Sequence, residues 1–187
     1  MRRGIAVLMM LLLLLFCGCK STENDLQEAI DFRASLVQAG GCSSRAEITA
    51  DFDDYVEIFT VDCDCDADGT TRLTIVSPEN LQGITATVTD RGGTITFDGL
   101  SVDFGLLADG NVIPAAAPAI AVVCWSSEYI ASAGTEENLY RVTYEKDFEQ
   151  KRIRVDTCLK NGLPIYSEIC YNNQNILKIM ISEFYFY

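Results

Sequence analysis

The sequence predicts an α+β fold: a curved antiparallel sheet of about 9–11 strands, forming a half-barrel with an N-terminal helix and one internal helix. Three observations predict it. Short segments of alternating apolar and polar residues follow one another through most of the chain, tight turns join them, and only two segments break the alternation. Connections this short allow antiparallel neighbours only.

The N-terminal helix is predicted over Thr22–Ala39. Apolar residues such as Leu26 and Leu36 recur there at helical spacing. Thr22 followed by Asp25 resembles a capping box, and Gly40 ends the helix. We expect one face of this helix to pack on the core.

The strands begin with a long β-prone stretch, residues 46–64, which is broken near Asp53. Turns at Asp98-Gly99 and Asn161-Gly162 indicate hairpins. The remaining predicted strands are residues 72–76, 84–89, 94–97, 100–104, 140–145, 151–160, 165–171 and 176–182.

The internal helix is predicted over residues 116–127, in an apolar, alanine-rich stretch that contains Trp125. Pro114 and Pro118 lie near its start, where proline is tolerated.

The N-terminus indicates export. Arg2 and Arg3 precede an apolar run over residues 5–16, and Gly18 comes directly before Cys19. Signal peptides have this layout, and the run is shorter than the roughly 20 apolar residues of a transmembrane helix.

The segment Phe16-Cys17-Gly18-Cys19 resembles a bacterial lipobox, in which the bond before the cysteine is cut and its thiol carries diacylglycerol. Cys17 fits less well, because Phe16 would then occupy the small-residue position. We therefore predict a lipoprotein signal peptide over residues 1–18, cleavage after Gly18, lipid on Cys19 and one domain over residues 19–187. The expected location is the outer face of the cell membrane, or the periplasmic side in a host with an outer membrane.

The composition argues against several function classes. The chain has a net charge of −13 and no histidine. Such a charge repels nucleic acid and anionic headgroups, so a lipid anchor must hold the protein on a membrane. Histidine is the usual general base and the commonest metal ligand. With no Gly-x-Ser-x-Gly elbow and no phosphate-binding glycine loop, we predict neither an enzyme nor a cofactor.

The cysteines beyond Cys19 are Cys42, Cys63, Cys65, Cys124, Cys158 and Cys170. Export permits disulfides. Cys63 and Cys65 would share one face of a strand and are poorly placed to bridge each other. A two-residue turn at Asn161-Gly162 would set Cys158 opposite Ile165 and Cys170 opposite Ile153, so that these two cysteines do not meet either. We expect buried thiols, or one bridge at most.

The segment Asp64–Gly69 matches the start of a calcium-binding EF-hand loop. Its twelfth position is Ile75 instead of the bidentate glutamate, and its flanks are predicted strands. We therefore predict an acidic hairpin turn and no metal site.

The apolar faces of the predicted strands would line the half-barrel. A sealed core and a cavity are both compatible with them, and an open groove of several hundred Å³ would favour a ligand site. The candidate lining residues are Ile75, Ile84, Val88, Phe97, Phe104, Trp125, Val142, Val155 and Ile179.

Five segments carry a family resemblance: Ile75-Val76-Ser77-Pro78-Glu79, Gly83-Ile84-Thr85-Ala86-Thr87-Val88, Thr96-Phe97-Asp98-Gly99-Leu100, Gly162-Leu163-Pro164-Ile165-Tyr166-Ser167-Glu168-Ile169 and Ile181-Ser182-Glu183-Phe184. Across residues 46–184 they resemble clostridial LolA-like lipoproteins of the LolA/LolB-like superfamily. The resemblance implies a half-barrel, covered by helices, that carries or receives lipoproteins. The spore-germination type shares this fold but acts through a protein partner.

Two functions are therefore predicted. The first is a membrane-tethered, non-catalytic lipoprotein whose half-barrel binds a lipid, an acyl chain or a lipoprotein. The alternative is a scaffold with a filled core that binds another envelope protein.

Overall fold

The computed structural model describes residues 22–51, 56–89, 91–108, 111–148, 151–172 and 174–187. The predicted signal peptide, Gly18 and Cys19 lie outside the described residues, as does the predicted break near Asp53.

The two predicted helices are present. Helix α1 spans Thr22–Ala39 and helix α2 spans Ala117–Ser127. A short 3₁₀ turn, Pro114–Ala116, leads into α2, because Pro114 fixes a helical φ at the start of the segment. A second 3₁₀ turn spans Glu79–Leu81.

The strands before α2 are β1 Gly41–Asp51, β2 Val56–Asp66, β3 Thr71–Ser77, β4 Thr85–Thr89, β5 Gly92–Phe97, β6 Leu100–Phe104, β7 Leu107–Ala108 and β8 Asn111–Val112. The strands after α2 are β9 Tyr129–Glu136, β10 Leu139–Phe148, β11 Lys151–Lys160, β12 Leu163–Tyr171 and β13 Gln174–Phe186.

Eleven of these strands form one curved, unclosed antiparallel sheet in the order β6-β5-β4-β3-β2-β1-β13-β12-β11-β10-β9, and β7 pairs with β8 separately. The chain thus makes two meanders, β1 to β6 and β9 to β13. Strands β1 and β13 join them side by side at the centre of the sheet. The α+β half-barrel predicted from the sequence is confirmed.

The two faces of the sheet differ in polarity. Both helices contact the concave face, where residues such as Ile48, Val61 and Leu177 are buried. The opposite face carries cross-strand ion pairs, including Arg45 with Asp62 at 2.7 Å. An antiparallel sheet with one face packed on the core and the other exposed to solvent produces the alternation of apolar and polar residues in the sequence.

The first predicted β-prone stretch, residues 46–64, begins too late and ends too early, and strands β7, β8 and β9 were not predicted. Strand β1 begins at Gly41, directly after α1, and β2 runs on to Asp66. Strand β9 was not predicted, because Ala131, Ala133 and Gly134 give its sequence little β-propensity. Pairing with β10 along its whole length stabilises β9 despite its low β-propensity.

The predicted register of the β11–β12 hairpin is wrong by one residue. Lys160 faces Leu163 as expected, but a bulge between Cys158 and Leu159 sets Cys158 opposite Tyr166. Cys170 consequently lies opposite Arg154. The prediction that Cys158 and Cys170 are not paired with each other holds.

None of the helices in the described ranges is long and apolar enough to cross a membrane.

Candidate apolar binding site

The candidate lining residues fall into two groups. Five of them, Val88, Trp125, Val142, Val155 and Ile179, are buried. Ile75, Ile84 and Phe104 are half-buried, and Phe97 is 51% exposed. The buried group lies in or beside the helices, whereas the second group lies along β3 to β6 and the turn before β4, where the concave face is less covered.

Helix α2 fills the covered part of the half-barrel. Its residues are apolar on all sides, and eight of its eleven residues are buried, which is typical of a helix enclosed by other elements. The Trp125 ring packs edge-on against Phe32 of α1, with ring centroids 5.7 Å apart, and against Phe184 of β13 at 6.2 Å. An aromatic cluster therefore joins both helices to the central strands.

A buried polar contact fixes the position of Trp125. Its indole Nε1–H donates to Thr157 Oγ1 at 2.8 Å, and the Thr157 and Ser167 hydroxyls are 2.9 Å apart. Thr157 and Ser167 face each other across β11 and β12 and are fully buried. Because a buried indole N–H needs an acceptor, this contact holds α2 in one register on the sheet.

Arg33 of α1 caps the C-terminus of α2. Its guanidinium donates to the carbonyl oxygens of Trp125 at 2.8 Å, Cys124 at 3.2 Å and Glu128 at 2.6 Å. The last carbonyls of a helix have no partner within the helix and carry partial negative charge. A single cation therefore donates to three carbonyls at this end of α2, of which Cys124 O also accepts from Glu128 N at 3.3 Å, and it ties the two helices together.

The Arg33 guanidinium also lies 5.7 Å from the centre of the Tyr144 ring. The Tyr144 hydroxyl is buried and has no hydrogen-bond partner in the part of the chain that the structure describes. Burial raises the pKa of this phenol, so it stays neutral.

The apolar cavity beside α2 is small. It has a volume of about 20 Å³ and is lined by Thr89, Leu106, Ala119, Ile120, Val123, Lys146 and Ile153. This is room for roughly one water molecule. Lys146 borders the cavity and forms an ion pair with Glu128 at 2.5 Å. The covered half is therefore filled by α2, and an acyl chain could enter it only by displacing the helix.

The other half of the concave face exposes an apolar surface, which we call the apolar patch. It consists of Ile75, Ile84, Ile95, Phe97, Leu100 and Val102.

The register places these six side chains on one face in two neighbouring rows. Phe97 faces Leu100, and Ile95 faces Val102. Ile75 N donates to Ile84 O at 2.8 Å, which continues the first row onto β3. Because residues two apart on a strand share a face, both rows lie on the side of the sheet that carries the buried Leu73 and Ala86.

Exposure within the apolar patch rises towards the edge of the sheet. Phe97 is 51% exposed, Val102 67% and Leu100 75%. Strand β6 is the terminal strand of the sheet in the described ranges. Contiguous exposed apolar side chains are uncommon on a soluble domain and mark interaction sites. The Phe104 ring packs over Gly93 at one end of the patch. A side chain at position 93 would prevent this, since its Cβ would lie 2.6 Å from Phe104 Cζ.

The candidate lining residues predicted from the sequence include Ile75, Ile84 and Phe97 of this patch, but not Ile95, Leu100 and Val102, although Ile95 and Val102 were expected on apolar strand faces. The alternation on both sides of the Asp98-Gly99 turn is the signal that identifies them, because residues opposite each other in a hairpin share a face. Which residues remain uncovered could not be predicted, since that depends on where α2 lies.

The acidic segment Asp64–Gly69 forms the hairpin turn between β2 and β3. Asp68 Oδ1 accepts a hydrogen bond from Thr70 N at 2.9 Å, and Asp66 pairs with Arg72 at 3.2 Å. In the described residues no group of three or more His, Cys, Asp or Glu side chains is arranged to hold a metal ion.

No family model matches the chain, and no curated protein matches it. Solved structures do. An outer membrane lipoprotein-sorting protein domain from Vibrio parahaemolyticus has 7% sequence identity and a TM-score of 0.48, and the match covers 88% of this chain and 92% of that one. A LolA superfamily protein from Nitrosomonas europaea has 8% identity and a TM-score of 0.44, covering 90% and 94%.

The lipoprotein LppX of Mycobacterium tuberculosis has 9% identity and a TM-score of 0.40, covering 86% and 93%. All three matches have TM-scores below 0.5 and identities below 10%, so neither a family nor a function follows from them.

Substituting Arg33 by methionine should loosen α2. Three carbonyls would lose a charged donor, so we expect a loss of about 2–3 kcal/mol in the free energy of unfolding and a red shift in the emission of Trp125, the only tryptophan. Urea unfolding followed by fluorescence measures both. The matched control is Arg45→Met, which removes a more exposed ion pair on the opposite face and should cost about 1 kcal/mol or less. Equal losses in the two variants would contradict the role given to Arg33.

Proposed function

We propose that the protein is a membrane-tethered extracytoplasmic lipoprotein that binds an apolar moiety, a lipid or an acyl chain, on the apolar patch of its half-barrel. The observation that carries this proposal is the exposure of Phe97, Leu100 and Val102 on the concave side of the sheet. Exposure of such side chains to water is unfavourable, and covering them stabilises a complex by about 25 cal/mol per Å² of apolar surface buried.

The shape of the patch suits a flexible chain better than a compact ligand. The patch crosses four strands, so it extends for about 14 Å across the sheet at roughly 4.8 Å per strand. The Lys146–Glu128 ion pair lies beside the small cavity in the covered half, and no member of the patch is charged. A ligand on the patch meets methyl and aromatic groups almost exclusively, which favours burial over hydrogen bonding as the source of affinity.

The tether follows from Cys19 and from its short distance to the fold. Only Lys20 and Ser21 separate Cys19 from the first residue of α1. Two residues span roughly 7 Å when extended, so lipid on Cys19 would hold the half-barrel against the bilayer. We therefore favour a receiver or holder of lipid over a soluble carrier. The absence of histidine from the whole sequence supports a role in binding, not catalysis.

The double substitution Leu100→Ser with Val102→Ser should weaken lipid binding at least tenfold, since tenfold corresponds to about 1.4 kcal/mol and the two side chains supply more than that in burial. The measurement is titration of the purified full chain with a fluorescent fatty acid. The control is the double variant Ile58→Ser with Met180→Ser, which removes apolar side chains of similar exposure from the opposite face.

If wild-type protein takes up no fatty acid and co-purifies with no lipid, the apolar ligand is excluded. If both double variants weaken binding equally, a lipid binds but the patch is not its site.

Substituting Cys19 by alanine should release the protein from membranes, because the acidic domain has no electrostatic hold on anionic lipids. The expected result after cell fractionation is at least a tenfold shift of the protein from the membrane to the soluble fraction. Cys17→Ala should leave the protein on the membrane. Retention of the Cys19 variant, together with release of the Cys17 variant, would move the lipid to Cys17.

A second candidate function is a scaffold for another envelope protein. The packing under α2 supports this function, because the cavity of about 20 Å³ there is too small to hold an acyl chain. The terminal strand β6 also has one backbone edge that no strand of the described residues pairs with, and such edges accept a partner strand.

Photo-crosslinking in the host envelope separates the two functions. A crosslinker at residue 102 should capture lipid if the first function holds and a single stoichiometric protein if the second does. A crosslinker at residue 180, on the opposite face, should capture neither. A protein captured equally from residues 102 and 180 would contradict a specific contact at the patch.

A further inference from the structure

Three buried cysteines lie together where β1 begins and β2 ends. Cys42 and Cys65 are each 1% exposed, and Cys63 is 3% exposed. All three point to the concave side, next to the end of α1. The proposed binding function uses none of them.

Cys42 and Cys65 face each other directly across the two strands. Ala67 N donates to Gly40 O at 2.9 Å, so that residue pair is hydrogen-bonded. Pairs of this kind alternate along an antiparallel ladder, which makes Cys42 and Cys65 a hydrogen-bonded pair too. The Cα atoms of such a pair are about 5.5 Å apart, which is within the range of about 4.4–6.8 Å found for disulfides.

The two thiols are in contact and are not equivalent. The contact with Cys42 and the nearby Thr71 hydroxyl lower the pKa of Cys65, whereas the contact with Cys65 together with burial raises the pKa of Cys42. Cys65 is thus the thiol more easily ionised, which is the form that attacks a disulfide.

We propose that Cys42 and Cys65 are a site of oxidation that closes to a cross-strand disulfide in the exported protein. The other cysteines of the described residues do not lie opposite a second cysteine. Cys63 is opposite Ser44 and only diagonal to Cys42. Cys124 lies in α2, and Cys158 and Cys170 lie on the opposite face, facing Tyr166 and Arg154.

The reaction is thiol–disulfide exchange with a small-molecule disulfide or the active-site disulfide of a thiol oxidoreductase. The Cys65 thiolate attacks one sulfur of that disulfide, forms a mixed disulfide and expels the other sulfur as a thiolate. The Cys42 thiolate then attacks the Cys65 sulfur, and the second thiolate leaves. The chain loses two protons and two electrons, and the donor disulfide is reduced to two thiols.

The bond would fasten the central strands beneath the helices. It links β1 to β2 directly after α1 ends, and the following turn contacts α2, since a Cβ on Gly69 would lie 2.1 Å from Val123 Cγ2. The bond closes a loop over residues 42–65, which lowers the conformational entropy of the unfolded chain and so stabilises the fold. The site does not depend on the lipid ligand; it needs only an oxidising compartment, which export provides.

The test is to refold the reduced full chain in a mixture of reduced and oxidised glutathione and to map the peptides by mass spectrometry. We expect one linked peptide pair, joining Cys42 to Cys65, with a mass loss of about 2 Da per chain. Adding a reductant should lower the Tm by roughly 5 °C or more.

The matched control is Cys63→Ser, which changes the neighbouring buried thiol and should keep the linked pair and the Tm shift. Cys65→Ser should abolish both. Recovery of wild-type peptides with no Cys42–Cys65 link, or with Cys42 linked to Cys63, would overturn the proposal. If a serine variant fails to fold, the presence or absence of a Cys42–Cys65 link in the wild-type peptide map decides whether the proposal holds.

Discussion

The pairing of β1 with β13 is the interaction on which the rest of the structure depends. It joins the first strand of the chain to the last and turns two separate meanders into one sheet. Residues from both strands then form the floor on which α1 and α2 pack, and Phe184 of β13 contacts Phe32 and Trp125 there. Because these contacts are distant in sequence, forming them costs loop-closure entropy. The helices can pack on the central strands only after those strands have paired.

The position of α2 divides the concave face into two halves with different chemistry. Under the helix, Trp125 donates to Thr157 and Arg33 donates to Trp125 O, so this half is held as a packed core. Beyond it, the sheet continues through β5 and β6, where the apolar side chains become progressively exposed. A sheet that extends past its covering helices thus leaves an exposed apolar surface.

The sequence predicted the features that depend on local chemistry. The C-terminal end of α1 follows from Gly40, which has a positive φ, and the prolines mark the start of α2. The sequence did not predict β9, whose alanines are held in a strand by pairing with β10 and packing against α1, or the bulge at Cys158, which shifts the register by one residue. The candidate site was half predicted for the same reason. Periodicity identifies the apolar face of a strand, but whether a helix covers that face is a long-range property.

The charge distribution and the proposed anchor together limit how a ligand could reach the patch. The chain is strongly acidic, so on the proposed function its surface would not adhere to anionic headgroups, and the domain would turn about its lipid tether. With only Lys20 and Ser21 between the proposed anchor and α1, this rotation would take place within a few ångströms of the bilayer. The apolar patch at the edge of such a domain would then meet the membrane repeatedly without being held there by charge. Transient contact of this kind would suit the reversible uptake of a lipid.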